Sequence, residues 1–178
     1  AHNPGQRELP FCIHTRYSTQ QAILEDIVAS LYAQGMRKLI ILSGHGGNNF
    51  KGMIRDLAFV YPDFLIIAVD WFSIVPPKDY FEAVVDDHAG ESETSVMMHY
   101  HPELVNLAEA GDGESKPFAI PSLNEKVGWA PRHWDKATVD SGVGNPKKAS
   151  AEKGERYMKP VVEKLSKLFT EVGQGSLY

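Results

Sequence analysis

Residues 39–49 read Leu39-Ile40-Ile41-Leu42-Ser43-Gly44-His45-Gly46-Gly47-Asn48-Asn49, a short apolar run that breaks into a glycine-rich turn. Four consecutive aliphatic residues bounded by turn formers predict a strand buried on both faces, as in a parallel sheet. Upstream, Ile23, Leu24, Ile27, Val28 and Leu31 recur at helical spacing. Ser18 and Gln21 have the spacing of a capping box, which predicts a helix start near Ser18. Gly35 supplies a left-handed stop. Downstream, Phe50, Met53, Ile54 and Leu57 mark a second amphipathic helix, ended by Tyr61-Pro62-Asp63, and residues 64–69 form a second apolar run. Helix, strand, helix, strand at this spacing requires crossovers and predicts an α/β fold with a mostly parallel sheet.

Farther along, a loop with Pro76 and Pro77 leads to Asp86-Asp87-His88-Ala89-Gly90, and a helix is expected from about Glu91 to Tyr100. Residues 111–146 hold short segments and many turns. A last helix is expected over roughly Ala149 to Val172, bent at Pro160 because proline removes a backbone donor. No repeat or composition shift divides the 178 residues, so residues 1–178 are expected to be a single domain. Hydrophobic residues make up 43% and charged residues 23%, a globular profile. The net charge of −5 argues against a nucleic-acid or anionic-membrane partner. No apolar run approaches the ~20 residues that span a bilayer, and no signal-peptide pattern opens the chain. A single cysteine, Cys12, makes no internal disulfide, so a reducing, cytoplasmic compartment is expected.

The turn from Ser43 to Asn49 follows a strand and precedes a helix, and the carboxyl ends of parallel strands are where ligand crevices form. Its glycines let backbone approach a ligand closely, while His45 is a natural metal ligand or proton carrier. The same residues also suit a plain tight turn with His45 as a satisfied polar side chain. Neither the P-loop nor the dinucleotide spacing is present, and no lysine ends the loop. A second cluster, Asp86, Asp87, His88, Glu91 and Glu93, sits at a loop-to-helix junction. The helix dipole alone favours carboxylates there, yet it leaves His88-Ala89-Gly90 unexplained. Helical steps of ~100° turn Glu91 and Glu93 to roughly opposite sides, so both do not face one site. His99 and His101 read as surface or helix-end residues, and His2 and His14 give no spacing signal. Met97 and Met98 read as core. Arg132-His133-Trp134-Asp135 offers Trp134 as a flat pocket wall or, equally, as a buried pin beneath a surface loop.

Three blocks then carry a family resemblance. Gly44-His45-Gly46-Gly47-Asn48 resembles the G-H-G-G-N signature of the creatininase (creatinine amidohydrolase) family, and residues 88–95 resemble its H-A-G-x-x-E-T-S signature. Ser141-Gly142-Val143-Gly144-Asn145-Pro146, followed by Ala151-Glu152-Lys153-Gly154, resembles a third block in the same order. The resemblance implies a three-layer α/β/α fold with a central parallel sheet and hydrolysis of a C–N bond in a small or cyclic amide. It further implies two divalent metal ions, zinc or manganese, and homo-oligomers, often hexamers. By that similarity His45 and Glu93 would be metal ligands and His88 the proton shuttle. Asn48 would help shape the substrate site, and Asp87 and Trp134 are further candidates to line it, on the residues alone. Two departures stand out. Creatininase itself carries a glutamate where this chain has Gly47, so the resemblance does not extend to creatinine as substrate. The family's first metal-binding segment, an E-x-H with a following aspartate, has no counterpart here and is expected upstream of Ala1. The competing expectation is a non-catalytic metal- or ligand-binding subunit.

Overall fold

Helix α1 covers Tyr17–Ala33, and its end shows how local sequence sets the path. Gly35 takes φ +86°, Gly35 N–H donates to Tyr32 O, and Met36 N–H donates to Leu31 O. This pair of bonds is a Schellman stop, which favours glycine at the left-handed position. The computed structural model describes residues 4–176 and 178, so His2 lies outside the described residues. The helix start differs from the expected capping box. Arg16 is the cap and its side chain makes no cap bond. Because the helix begins at Tyr17, Gln21 lies within it and donates instead to Glu25 and Asp56.

The chain divides into two compact units, Ile13–Ile74 with Lys164–Tyr178 and Pro4–Cys12 with Val75–Glu163. In the first, strand β1 (Lys38–Ser43) pairs in parallel with β2 (Leu65–Asp70), from Lys38 opposite Leu65 to Ser43 opposite Asp70. Helix α2 (Lys51–Val60) makes the crossover. Leu24 and Val28 of α1, Met53 and Leu57 of α2, Phe64 and Ile66 form one buried cluster, with Leu39, Ile41, Phe50 and Ile54 packed on it. The expectation of strands buried on both faces needs correcting. Alternation places Ile40 and Leu42 opposite the residues that meet the helices, and Leu42 is 52% exposed.

The second unit holds β3 (Asp86–His88), α3 (Glu91–Tyr100), the short helices α4 (Pro121–Asn124) and α5 (Trp134–Ala137), β4 (Val143–Gly144) and the start of α6 (Ala151–Gln174). Strands β3 and β4 pair antiparallel, with an irregularity between Asp86 and His88. The buried apolar residues are Val75, Phe81, Trp134, Val143, Ala149, Tyr157 and Val161. The Tyr157 ring meets Tyr80 and Phe81 edge-on, and its hydroxyl donates to Val75 O at 3.1 Å. Helix α6 continues past Pro160. Met97 is exposed, against the core expectation. Instead the buried residues of α3 are Glu91 and Ser95, because Gly154 of α6 brings backbone against that face. A Cβ on Gly154 would lie 2.1 Å from Ser95 O. Ser95 Oγ accepts from Ser150 N–H just before α6 begins. Among the described residues, no helix is long and apolar enough to cross a membrane.

Candidate active-site residues

The first signature lies at the carboxyl end of β1. Asn48 N–H donates to His45 O at 3.1 Å and closes the turn, while buried Ser43 donates its hydroxyl to the same carbonyl. Gly47 lets the His45 ring fold over the turn. A Cβ there would lie 2.6 Å from His45 Nε2, so the imidazole lies over the position that any side chain would fill. Asn48, Lys51, Ile54, Arg55 and Asp70 help line an adjoining open cleft of about 290 Å³.

The second signature is held by its own side chains. Ala89 adopts φ +49°, a left-handed conformation that costs a non-glycine residue energy unless neighbours hold it. Glu93 Oε2 accepts Ala89 N–H at 2.7 Å and Thr94 Oγ1 donates to Ala89 O at 3.2 Å. The Asp86 carboxylate accepts Ser92 N–H in the first turn of α3. It leaves no room for a Cβ on Gly90, which would lie 2.2 Å from Asp86 Oδ1. The turn presents His88, whose side chain is 33% exposed and whose Nδ1 lies 3.9 Å from Glu93 Oε2. Trp134 meets the His88 ring edge-on, with centroids 5.0 Å apart. Arg132 lies over the other ring, 4.9 Å from the Trp134 centroid, and bonds Asp87 Oδ2 at 2.8 Å. His88, Glu93, Asp87 and Trp134 thus form one connected group, joined by Arg132. Asn48 and His45 belong to the other unit. His101 caps the end of α3 and pairs with Glu103.

Glu91 and Glu93 diverge as the helical step requires. Glu91 is fully buried, and Glu93 is 44% exposed. Glu91 Oε2 accepts the N–H groups of Glu82 and Ala83, and Oε1 accepts Lys153 Nζ. Lys153 also reaches Glu82 and Lys148 O. The hydrogen bond to Glu91 raises the Lys153 pKa, against the pull of burial. Glu82, exposed and bonded first by Lys148 and then by Lys153, is lowered to about 2. The sequence reading quoted Lys153 in the third block but missed its pairing with Glu91 and Glu82, because an ion pair between residues far apart in the chain has no periodic signal.

A family model described as Creatininase: Creatinine amidohydrolase matches residues 1–169. The chain belongs to the creatininase family. A Bacteroides fragilis NCTC 9343 protein, provisionally assigned as a creatinine amidohydrolase, is 84% identical in a crystal structure. It superposes with a TM-score of 0.96 over 100% of this chain and 70% of that one. A mycofactocin precursor peptide peptidase from Mycobacterium ulcerans (strain Agy99) is 31% identical over 131 residues, covering 71% of this chain. The chain spans 45% of that curated relative's length. A creatininase variant labelled Zn-Zn type shares the fold at 22% identity, with a TM-score of 0.73 over 92% of this chain and 67% of that one. The α/β class and parallel crossover expected from the sequence are therefore those of the creatininase fold.

A family metal centre can be tested against the donors present. Among the described residues, no group of three or more His, Cys, Asp or Glu side chains could hold an ion. A catalytic zinc usually takes three protein ligands with one position open. Glu93 also has one oxygen committed to Ala89 N–H. The described residues alone do not fit a two-metal site.

Proposed function

We propose that this chain supplies part of a metal-dependent amidohydrolase that cleaves a C–N bond in a small amide, cyclic amides included. The supporting observation is His88, held edge-on against buried Trp134 beside Glu93 on the strained turn of a creatininase signature. His88 carries the proton to the departing nitrogen, a task that suits an imidazole near neutral pH. Trp134 fixes the plane of its ring, and the Arg132–Asp87 pair fixes Trp134. Asn48 shapes the substrate site. By the family resemblance, His45 in the first unit and Glu93 in the second would each be a donor to divalent ions, zinc or manganese, with further ligands from polypeptide outside these residues.

Ligand counting makes this testable. Elemental analysis and an amidase assay are run side by side on the 178-residue chain and on a longer one carrying an E-x-H and aspartate segment. The longer chain is expected to hold more metal and to turn over, while the short chain hydrolyses little or nothing. Equal metal content and equal turnover would overturn the ligand assignment. The absence of a three-donor group among the described residues favours a second reading, a ligand-binding subunit without turnover. An inactive longer chain that binds metal would support it.

We further propose a homo-oligomer, hexameric by family resemblance. Among the described residues β2 pairs only with β1, and Phe59 and Val60 at the end of α2 are exposed. Unpaired edges and apolar surface favour association. Sedimentation of the chain as a single 19.8 kDa species at micromolar concentration would contradict this.

A further inference from the structure

Glu91 differs from the other carboxylates of its cluster in being sealed from solvent. It stands at the first position of α3, three residues after His88 and two before Glu93. Its two oxygens collect three donors from two separate parts of the unit. Glu82 and Ala83 come from the loop before β3, and Lys153 comes from the first turn of α6. Helix α6 is itself anchored there, because Ser150 Oγ accepts Lys153 N–H and Ser95 Oγ accepts Ser150 N–H. Such a network exceeds what the helix dipole requires of a carboxylate. A buried charge also becomes costly when its partner is lost.

We propose that Glu91 and Lys153 are a positioning pair that holds the His88–Gly90 turn in shape through the first turn of α3. The bonds that Ser92 N–H donates to Asp86 and Ala89 N–H donates to Glu93 depend on where that helix begins, and Glu91 sets where it begins. The proposal rests on the reading that His88 and Glu93 are working groups. Its test does not use turnover.

Native-state amide exchange is measured on the labelled chain, comparing Ala89 and Ser92 with Ile40 and Ile41 in β1. Lys153→Met is expected to speed exchange at Ala89 and Ser92 by about tenfold or more, with the strand amides unchanged, because opening is local. Lys153→Arg is expected to restore most of the protection. Glu82→Gln, which removes only an exposed partner of Lys153, is expected to leave both amides as they were. Should Lys153→Met unfold, the double variant Glu91→Leu/Lys153→Met removes both charges and leaves none buried unpaired, and the same local speeding is expected of it. Unchanged protection at Ala89 and Ser92 would overturn the proposal. So would acceleration that runs equally through β1, since that reports global stability alone. In a longer, active chain, Lys153→Met should lower kcat while KM holds. If exchange changes as expected but no chain turns over, the positioning pair stands and the hydrolase reading fails.

Discussion

Replacing His88 with asparagine in a longer, active chain is expected to lower turnover by about 10²–10⁴-fold, the usual contribution of a positioned proton-transfer group. Asparagine keeps a polar side chain near the volume of the imidazole but cannot exchange a proton near neutral pH. His88 faces the Trp134 edge and lies 3.9 Å from Glu93, while no bond from its side chain holds the turn. That work falls to Glu93, Thr94 and Asp86. The variant should therefore fold with an unchanged melting temperature and keep its metal content. If metal content falls with activity, His88 is a ligand rather than a proton carrier. If activity falls less than about fivefold with metal retained, the proton passes through another group.

Gly154→Ala is expected to destabilise the protein, although the same change in an open helix interior gains about 1 kcal/mol from propensity. A Cβ there would stand 2.1 Å from Ser95 O, 2.6 Å from Ser95 C and 3.0 Å from Val96 N. All three are backbone atoms, so no side-chain rotation relieves the clash and α3 must move away from α6. Overpacking of this kind costs about 1–3 kcal/mol, occasionally more, and should lower the melting temperature by about 3–10 °C in a chain of this size. Gly173, also in α6, is the internal control, since a Cβ there meets nothing within 4 Å. Gly173→Ala should leave the melting temperature unchanged or raise it slightly. Equal behaviour of the two variants in thermal unfolding would show that the close approach of α3 and α6 is not tight in solution.

The parts of this protein that could be read in advance are those whose structure follows from near neighbours in the chain. The crossover from β1 to β2 was legible because apolar residues recur at helical spacing and then run together. Helix α3 was legible at both ends, since His101-Pro102 stops it and carboxylates gather at its start. Its buried face was not legible. Burial was assigned to Met97 by hydrophobicity, whereas the buried side chains are Glu91 and Ser95, matched to a lysine and a glycine of α6. The capping box failed on a shift of two residues, since Arg16 and not Ser18 is the cap of α1. Within the candidate site, the acidic and histidine cluster was visible, but the part that Glu93 plays in it locally was not. Ala89, and not its neighbour Gly90, carries the left-handed angle. A positive φ at a non-glycine residue leaves no mark in composition or periodicity. Arg132 likewise stayed an undecided neighbour of Trp134, because its partner Asp87 lies 45 residues away.

The bond between Glu91 and Lys153 joins residues 62 apart, which has a consequence for how the chain is made. While a ribosome is still producing the intervening segment, the carboxylate that will be sealed inside has no lysine to meet. It must stay hydrated, so the start of α3 remains open until the first turns of α6 emerge. Contacts that close long loops form late and slowly. Synonymous changes that slow translation between the codons for Glu91 and Lys153 should therefore lengthen the time that this turn spends exposed to proteases, without altering one atom of the finished protein.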